Sequence, residues 1–321
     1  LTLSMLRGRE GRQVKELHKM LEWLKDEPPP DLVCLSNALL LGLAGPIKET
    51  LGVPVACTLH GEDSFIDHLP PPYCDQVWEQ VRVQAGFVDA LLPVSAYYRD
   101  VMVERTGLPS ERFRVVHNGI DTSDYRPRPA LPDPPVIGYL SRMCRDKGLP
   151  LLVDAFIHLR KNDPSSRARL HIAGAQTPGD LPLVRDLKKN LARAGLADDA
   201  LFSPNLDREG KIAFLRGLSV FSVPATYGEC FGLYLIEALA CGVPVVQPRH
   251  AAFPEVLAAT GGGVLCEPAD PEALAEGLAG LVRDRPRNEQ LGREGRQGAA
   301  AHFTLDRMTD RVLEVYRELT R

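Results

Sequence analysis

The sequence has no C-x-x-C pair: its seven cysteines, at 34, 57, 74, 144, 230, 241 and 266, are scattered. That scatter argues against zinc ligation and against a disulfide framework. Free thiols in that number fit a reducing compartment, so a cytoplasmic protein is expected. Charge of one sign is scarce too. Lys and Arg number 38 against 42 Asp and Glu, for a net charge of −4, with the two signs interspersed. No broad basic surface for nucleic acid is implied, and an anionic ligand would have to be gripped locally. The greasiest stretch, 32–47, is interrupted by Ser36, Asn37, Gly42, Gly45 and Pro46, so no membrane span is expected. No G-x-G-x-x-G follows a first strand, which argues against a dinucleotide-dependent dehydrogenase. No Asp-x-Asp pair stands at a strand end, so the sequence asks for no metal and no cofactor.

What is present is an alternation of short apolar runs and helical patterns. A chain of 321 residues, 44% hydrophobic, is too long for one core of usual size, and about two domains are expected. Residues 10–25 carry Val14, Leu17, Met20, Leu21 and Leu24 on one face among charged neighbours. This reads as a helix lying on a sheet, with peripheral membrane contact as the alternative. Strands are expected at 31–35, 53–58 and 90–94, and helices at 38–51, 77–85 and 96–105, the last capped by the Ser95 hydroxyl. The segment 122–135 holds five prolines and reads as a linker. Beyond it come strands at 136–140, 168–173 and 200–203 and helices at 148–160, 181–194 and 207–217. A last strand at 261–265 and helices at 271–283, 286–300 and 305–320 end the chain. Parallel crossovers and doubly wound α/β sheets follow from that order.

The most informative stretch runs from Ser219 to Leu257. A β-branched and aromatic run, 220–223, is stopped by Pro224; a polar loop follows, then a helix until Gly242 and Pro244, then a strand at 245–247. Such a loop lies at the carboxyl edge of a parallel sheet, where open α/β folds place ligands. The N–H groups of Phe231, Gly232 and Leu233 at the helix start favour an anion or a hydroxyl-rich group. Glu229 on the loop and Glu237 in the helix come from different elements and are expected to touch different parts of one ligand. Two carboxylates also suggest a retaining glycosidase, but that chemistry needs them about 5–5.5 Å apart across one bond, which a loop and a second helical turn serve poorly.

A second constellation is Ser141-Arg142-Met143-Cys144-Arg145-Asp146-Lys147-Gly148, between a strand and a helix start. Arginine and lysine there suit a diphosphate, one gripping two oxygens and the other adding a point charge. A third is His60-Gly61-Glu62-Asp63, at the end of the strand expected over 53–58. Carboxylates in such a loop either meet a ligand or are merely solvated.

Taken together, Glu229, Phe231-Gly232, Glu237-Ala238, Gly242-Val243-Pro244-Val245-Val246 and Pro254-Glu255-Val256 resemble the family 4, or group 1, retaining glycosyltransferases of GT-B fold. The resemblance is dense over the C-terminal two thirds and thin before His60. It implies two Rossmann-like domains facing a cleft. These would be an acceptor-side domain over 1–125, incomplete because the chain starts at Leu1 without a glycine-rich strand-loop-helix, and a nucleotide-sugar-binding domain over 126–303. A helix over 304–321 would pack back toward the first domain. It further implies that Arg142 and Lys147, five positions apart and followed by glycine, clamp the donor diphosphate. Glu237 would accept from the ribose hydroxyls, while Glu229 and the amides of 231–233 hold the transferred sugar. His60 would reach that sugar near the reacting carbon, and Gly61, Glu62 and Asp63 would stand on the acceptor side. The implied reaction is metal-independent transfer of a glycosyl unit from a nucleoside-diphosphate sugar, with retention, to a carbohydrate, lipid-linked or small-molecule acceptor. The alternative is a nucleotide-sugar-binding or scaffold module that has lost turnover. Ala175 and Gln176 after the strand at 168–173, and Pro204, depart from the family pattern where the base would lie.

Overall fold

The computed structural model describes residues Leu1–Arg321. The chain divides into two compact units, one formed by Leu1–His117 with Asp306–Arg321, the other by Asn118–Leu305.

The first unit begins with α1 (Thr2–Leu6) and α2 (Val14–Asp26), then β1 (Val33–Leu35), α3 (Ala44–Leu51), β2 (Val55–Leu59), α4 (Asp63–Ile66), α5 (Tyr73–Ala85), β3 (Ala90–Pro93) and α6 (Ala96–Thr106). Its three strands form a parallel sheet in the order β1-β2-β3. Ser95 caps α6 as expected, its hydroxyl accepting from the Tyr98 N–H at 3.0 Å. The single helix expected over 38–51 is instead a 3₁₀ segment, Ala38–Leu43, followed by α3. Pro46 has no N–H to give and fits only a first helical turn, so the α-helix has to begin just ahead of it. The short helix α4 stands where a plain loop was expected.

The second unit runs β4 (Val136–Leu140), α7 (Leu149–Asn162), β5 (Arg169–Gly174), α8 (Leu181–Arg193), β6 (Ala200–Pro204), α9 (Arg208–Arg216), β7 (Val220–Phe221), α10 (Leu233–Ala240), β8 (Val245–Pro248), α11 (Phe253–Thr260), β9 (Gly263–Cys266), α12 (Pro271–Arg283) and α13 (Arg285–His302). The final helix, α14 (Leu305–Leu319), follows. All six strands are parallel, in the order β6-β5-β4-β7-β8-β9. Helices α7 and α12 pack together, as do α10 and α11 with α13. The chain starts in the middle at β4, builds outward to β6, then returns to the other flank of β4 to lay down β7. The β4/β7 boundary is therefore the topological switch point, where loops leave the sheet in opposite directions and open a crevice.

β7 is shorter than the run 220–223 suggests. The Val223 N–H is taken by the side chain of buried Gln247 at 3.1 Å rather than by a neighbouring strand. The proline-rich segment 122–135 lies wholly within the second unit. Its Arg128 donates from the backbone to Cys241 O and from the guanidinium to Leu218 O and Ser219 O. The two ends of this unit are joined: the Ile120 N–H donates to Phe303 O at 2.9 Å and the Leu305 N–H to Ile120 O at 3.1 Å. Helix α14 belongs to the first unit, where Val315 lies buried with Ala56, Ala90, Leu92 and Val116. No helix is long and apolar enough to cross a membrane.

Candidate functional site

The loop after β4 and the loop after β7 meet at the switch point of the second sheet. Gly148, at φ +72°, makes the meeting possible: a Cβ there would fall 1.8 Å from Pro224 O. Only a residue without a side chain fits both that backbone conformation and that approach. The carbonyl of Arg142 accepts from the hydroxyl of buried Tyr139 at 2.7 Å, which ties the first loop to its strand.

The Lys147 ammonium donates to Glu229 Oε2 at 2.6 Å. Tyr234 Oη donates to the same oxygen at 2.8 Å and Tyr227 Oη at 3.0 Å; Lys147 also bonds Tyr227 Oη. The ammonium lies 4.9 Å from the Tyr227 ring centroid and 5.4 Å from that of Tyr234. Glu229 is only 8% exposed, so a bare carboxylate would be costly there; the lysine and two phenols compensate it. Burial, and then the charge of Glu229, push both phenols up, so both remain protonated donors. All three donors converge on Oε2, and Oε1 is left to accept from something else.

Eight positions on, Glu237 repeats the arrangement with other partners. Its Oε1 accepts from Tyr125 Oη at 2.8 Å and from Lys211 Nζ at 2.6 Å. Burial pulls the Lys211 ammonium down, but its hydrogen bonds to Glu237 and Tyr125 outweigh burial and leave it raised and charged.

Arg142 stands apart from both clusters. Its guanidinium, 57% exposed, pairs with Asp180, 5% exposed, at 3.1 Å for Nη2 and 3.4 Å for Nε. Hydrogen bonds from Thr177, and then Arg142, hold the Asp180 carboxyl below the usual range. Arg145 is exposed. Gly232, at φ +87°, stands at the N-cap of α10 with no side-chain cap. Phe231 is buried edge-on against Phe303, their centroids 5.5 Å apart, whereas Leu233 is exposed.

In the first unit, His60 is exposed at the end of β2 and Gly61 follows half-buried. Glu62 is buried and fully engaged: Oε1 accepts from Ala38 N at 3.0 Å, and Oε2 from His60 N at 2.9 Å and Tyr98 Oη at 2.8 Å. Its carboxylate ties the start of the 3₁₀ segment, the loop after β2 and helix α6 together, with both oxygens engaged, unlike an acid waiting for an acceptor. Asp63 is different. Its Oδ1 is buried with no hydrogen-bond partner, and burial raises its carboxyl above the usual range.

Five side chains at these clusters escaped the reading of the sequence: Tyr227, Tyr234, Tyr125, Lys211 and Asp180. Tyr234 had left a signal, a phenol inside the otherwise apolar Leu-Tyr-Leu-Ile run. In sum, the loops at the switch point bring an ammonium onto an anchored carboxylate, and α10 carries a second anchored carboxylate, each with one oxygen turned away from its anchors, chemistry suited to a ligand that joins anionic and hydroxyl-rich parts.

Comparison with known proteins agrees. Residues 3–124 match Glycosyltransferase Family 4. The alpha-maltose-1-phosphate synthase of Mycolicibacterium smegmatis is 29% identical over 89% of this chain and 78% of its own length. The D-inositol 3-phosphate glycosyltransferase of Xylanimonas cellulosilytica is 30% identical over 79% of this chain, which spans 62% of that relative. Among solved structures, HepE of Anabaena in complex with UDP and glucose superposes with a TM-score of 0.80 at 19% identity, over 96% of this chain and 83% of that one. Sucrose-phosphate synthase of Thermosynechococcus elongatus gives 0.77 at 20%, over 96% and 79%. These two likenesses show a shared GT-B fold. With residues 121–298, the switch-point unit almost entire, matching the family described as glycosyl transferases group 1, the chain belongs to that family.

Proposed function

We propose that this protein transfers a glycosyl unit from a nucleoside-diphosphate sugar to an acceptor hydroxyl, with retention of anomeric configuration and without a metal. The observation that carries the reading is the Lys147–Glu229 pair at the β4/β7 switch point. Glu229 is the counter-ion of Lys147. With a donor bound, the ammonium faces the diphosphate, and charge that grows on the leaving group meets a cation already in place. Arg142, largely exposed, adds a bidentate grip when it leaves Asp180. These two cations supply the electrostatic role that a magnesium ion would otherwise fill. Glu229 and the amides of Phe231, Gly232 and Leu233 hold the sugar, and Glu237 holds the ribose.

On the first unit, the loop from His60 to Asp63 is the ligand-facing edge, with His60 and Asp63 as its chemical groups and Glu62 as the residue that fixes its shape. The named activities of the relatives and the UDP and glucose held by HepE support a nucleotide-sugar donor. The test is to incubate the protein with UDP-, GDP- and ADP-sugars and a panel of hydroxyl acceptors, reading nucleoside diphosphate release and the product linkage by NMR. Retained α-linkages from α-donors are expected. Binding without release for every donor would leave a binding module, and inverted linkages would overturn the mechanism.

A further inference from the structure

The Glu237 cluster has more parts than ligand binding by a carboxylate requires. Tyr125 precedes β4, Lys211 lies on α9 and Glu237 on α10, and the first two spend their donors on one oxygen, Oε1. Neither donor reaches Oε2. A carboxylate held by one partner can turn about its last torsion and exchange its oxygens. Held on a single oxygen from two directions it cannot, and the second oxygen then points one way.

The anchors are themselves fixed. Tyr125 is buried, its N–H donates to Thr122 O at 3.2 Å, and its carbonyl accepts from Arg296 at 2.7 Å. The Lys211 ammonium lies 5.7 Å from the Tyr125 ring centroid, so the lysine is held over the phenol as well as by the acid. Burial, opposed by Lys211, raises the Tyr125 phenol, which stays a donor at any working pH.

We propose that Tyr125 and Lys211 are positioning residues for donor recognition. They fix Glu237 so that Oε2 meets the ribose diol in one orientation, and through it they set the preference for ribonucleotide over deoxyribonucleotide donors. This rests on the reading of Glu237 as the ribose acceptor. The ordering cost of aiming a flexible glutamate is met on folding, before the donor arrives, which is the general advantage of a preorganised site.

The experiment compares calorimetric affinities for UDP, GDP and ADP with those for their 2′,3′-dideoxy counterparts, in the wild-type protein and in Tyr125→Phe, Lys211→Met and Lys211→Arg. The wild type should prefer the ribose form about tenfold or more, as two lost hydrogen bonds to a charged acceptor imply. Tyr125→Phe should weaken the ribose form about fivefold and leave the dideoxy form unchanged. Lys211→Met should do the same more strongly, and Lys211→Arg, which keeps a donor for Oε1, should recover part of the preference. If Tyr125→Phe and Lys211→Met weaken both forms equally, the two residues merely support the fold and the positioning role is overturned. If the wild type itself binds both forms equally, the ribose assignment of Glu237 fails first and takes the inference with it.

Discussion

Lys147 and Glu229, 82 positions apart in the sequence, meet in an ion pair of 2.6 Å whose acceptor oxygen also takes two tyrosine hydroxyls. The pair joins the loop after β4 to the loop after β7, so the cation proposed for the diphosphate and the acid proposed for the sugar are set by one contact. Lys147→Met should lower donor turnover about 100-fold or more, the usual scale for losing a cation at a developing charge. Arg145→Ala, on the same loop but exposed, should stay within about threefold. Steady-state kinetics on both variants checks this; equal losses would mean that the wrong basic residue has been placed at the diphosphate.

Gly148→Ala should be among the most damaging small substitutions in the second unit. The new methyl group would enter at 1.8 Å from Pro224 O in a left-handed backbone conformation, so the two loops have to part. A loss of about 2–4 kcal/mol is expected, together with weaker nucleotide binding. Urea denaturation and calorimetry measure the two effects.

His171 should give the second unit an acid-sensitive limb. Burial, with the Phe214 ring 4.7 Å away and Ser203 Oγ at 2.9 Å, lowers its pKa from the ordinary 6.5. The unfolded chain therefore takes up a proton that the folded unit resists. The contribution is fully present above pH 6.5 and is lost as pH falls from there toward the folded value. His171→Gln, which retains a partner for Ser203, should flatten the dependence of the urea midpoint between pH 7.5 and 5.

Val315→Asp should unfold the first unit selectively. Val315 on α14 is buried with Ala56, Ala90, Leu92 and Val116, and a carboxylate there would have no partner. About 2–4 kcal/mol should be lost from that unit's transition and little from the other's, as fluorescence and circular dichroism can resolve if the units melt separately.

Much of the fold was legible because the alternation of short apolar runs with helical spacing survives in the sequence: α12 falls where its pattern places it, and β4 likewise. Helix α11 was hidden because Pro254, which starts it, reads in isolation as a stop. The strand at 220–223 was overextended because its last N–H turns to Gln247, a partner that a linear pattern cannot display. At the site, Lys147, Glu229 and Glu237 stand in motifs with fixed spacing. Tyr125 does not. It lies in a proline-rich segment without periodicity, 112 positions from the glutamate it anchors, and only the folded chain brings the two together. Glu62 was seen as an acid in a loop, but its three backbone and phenol partners come from separate elements and give it a structural use.

The join between Ile120 and Phe303–Leu305 bears on how the protein is made. The second unit is one continuous run, Asn118–Leu305, so it can close on itself before the rest of α14 is made, whereas the first unit is split and needs that helix to cover its core. Until residues 306–321 are in place, the apolar face around Ala56, Leu92 and Val116 lacks Val315 as its cover. The unit that opens this sequence is thus completed after the one that follows it.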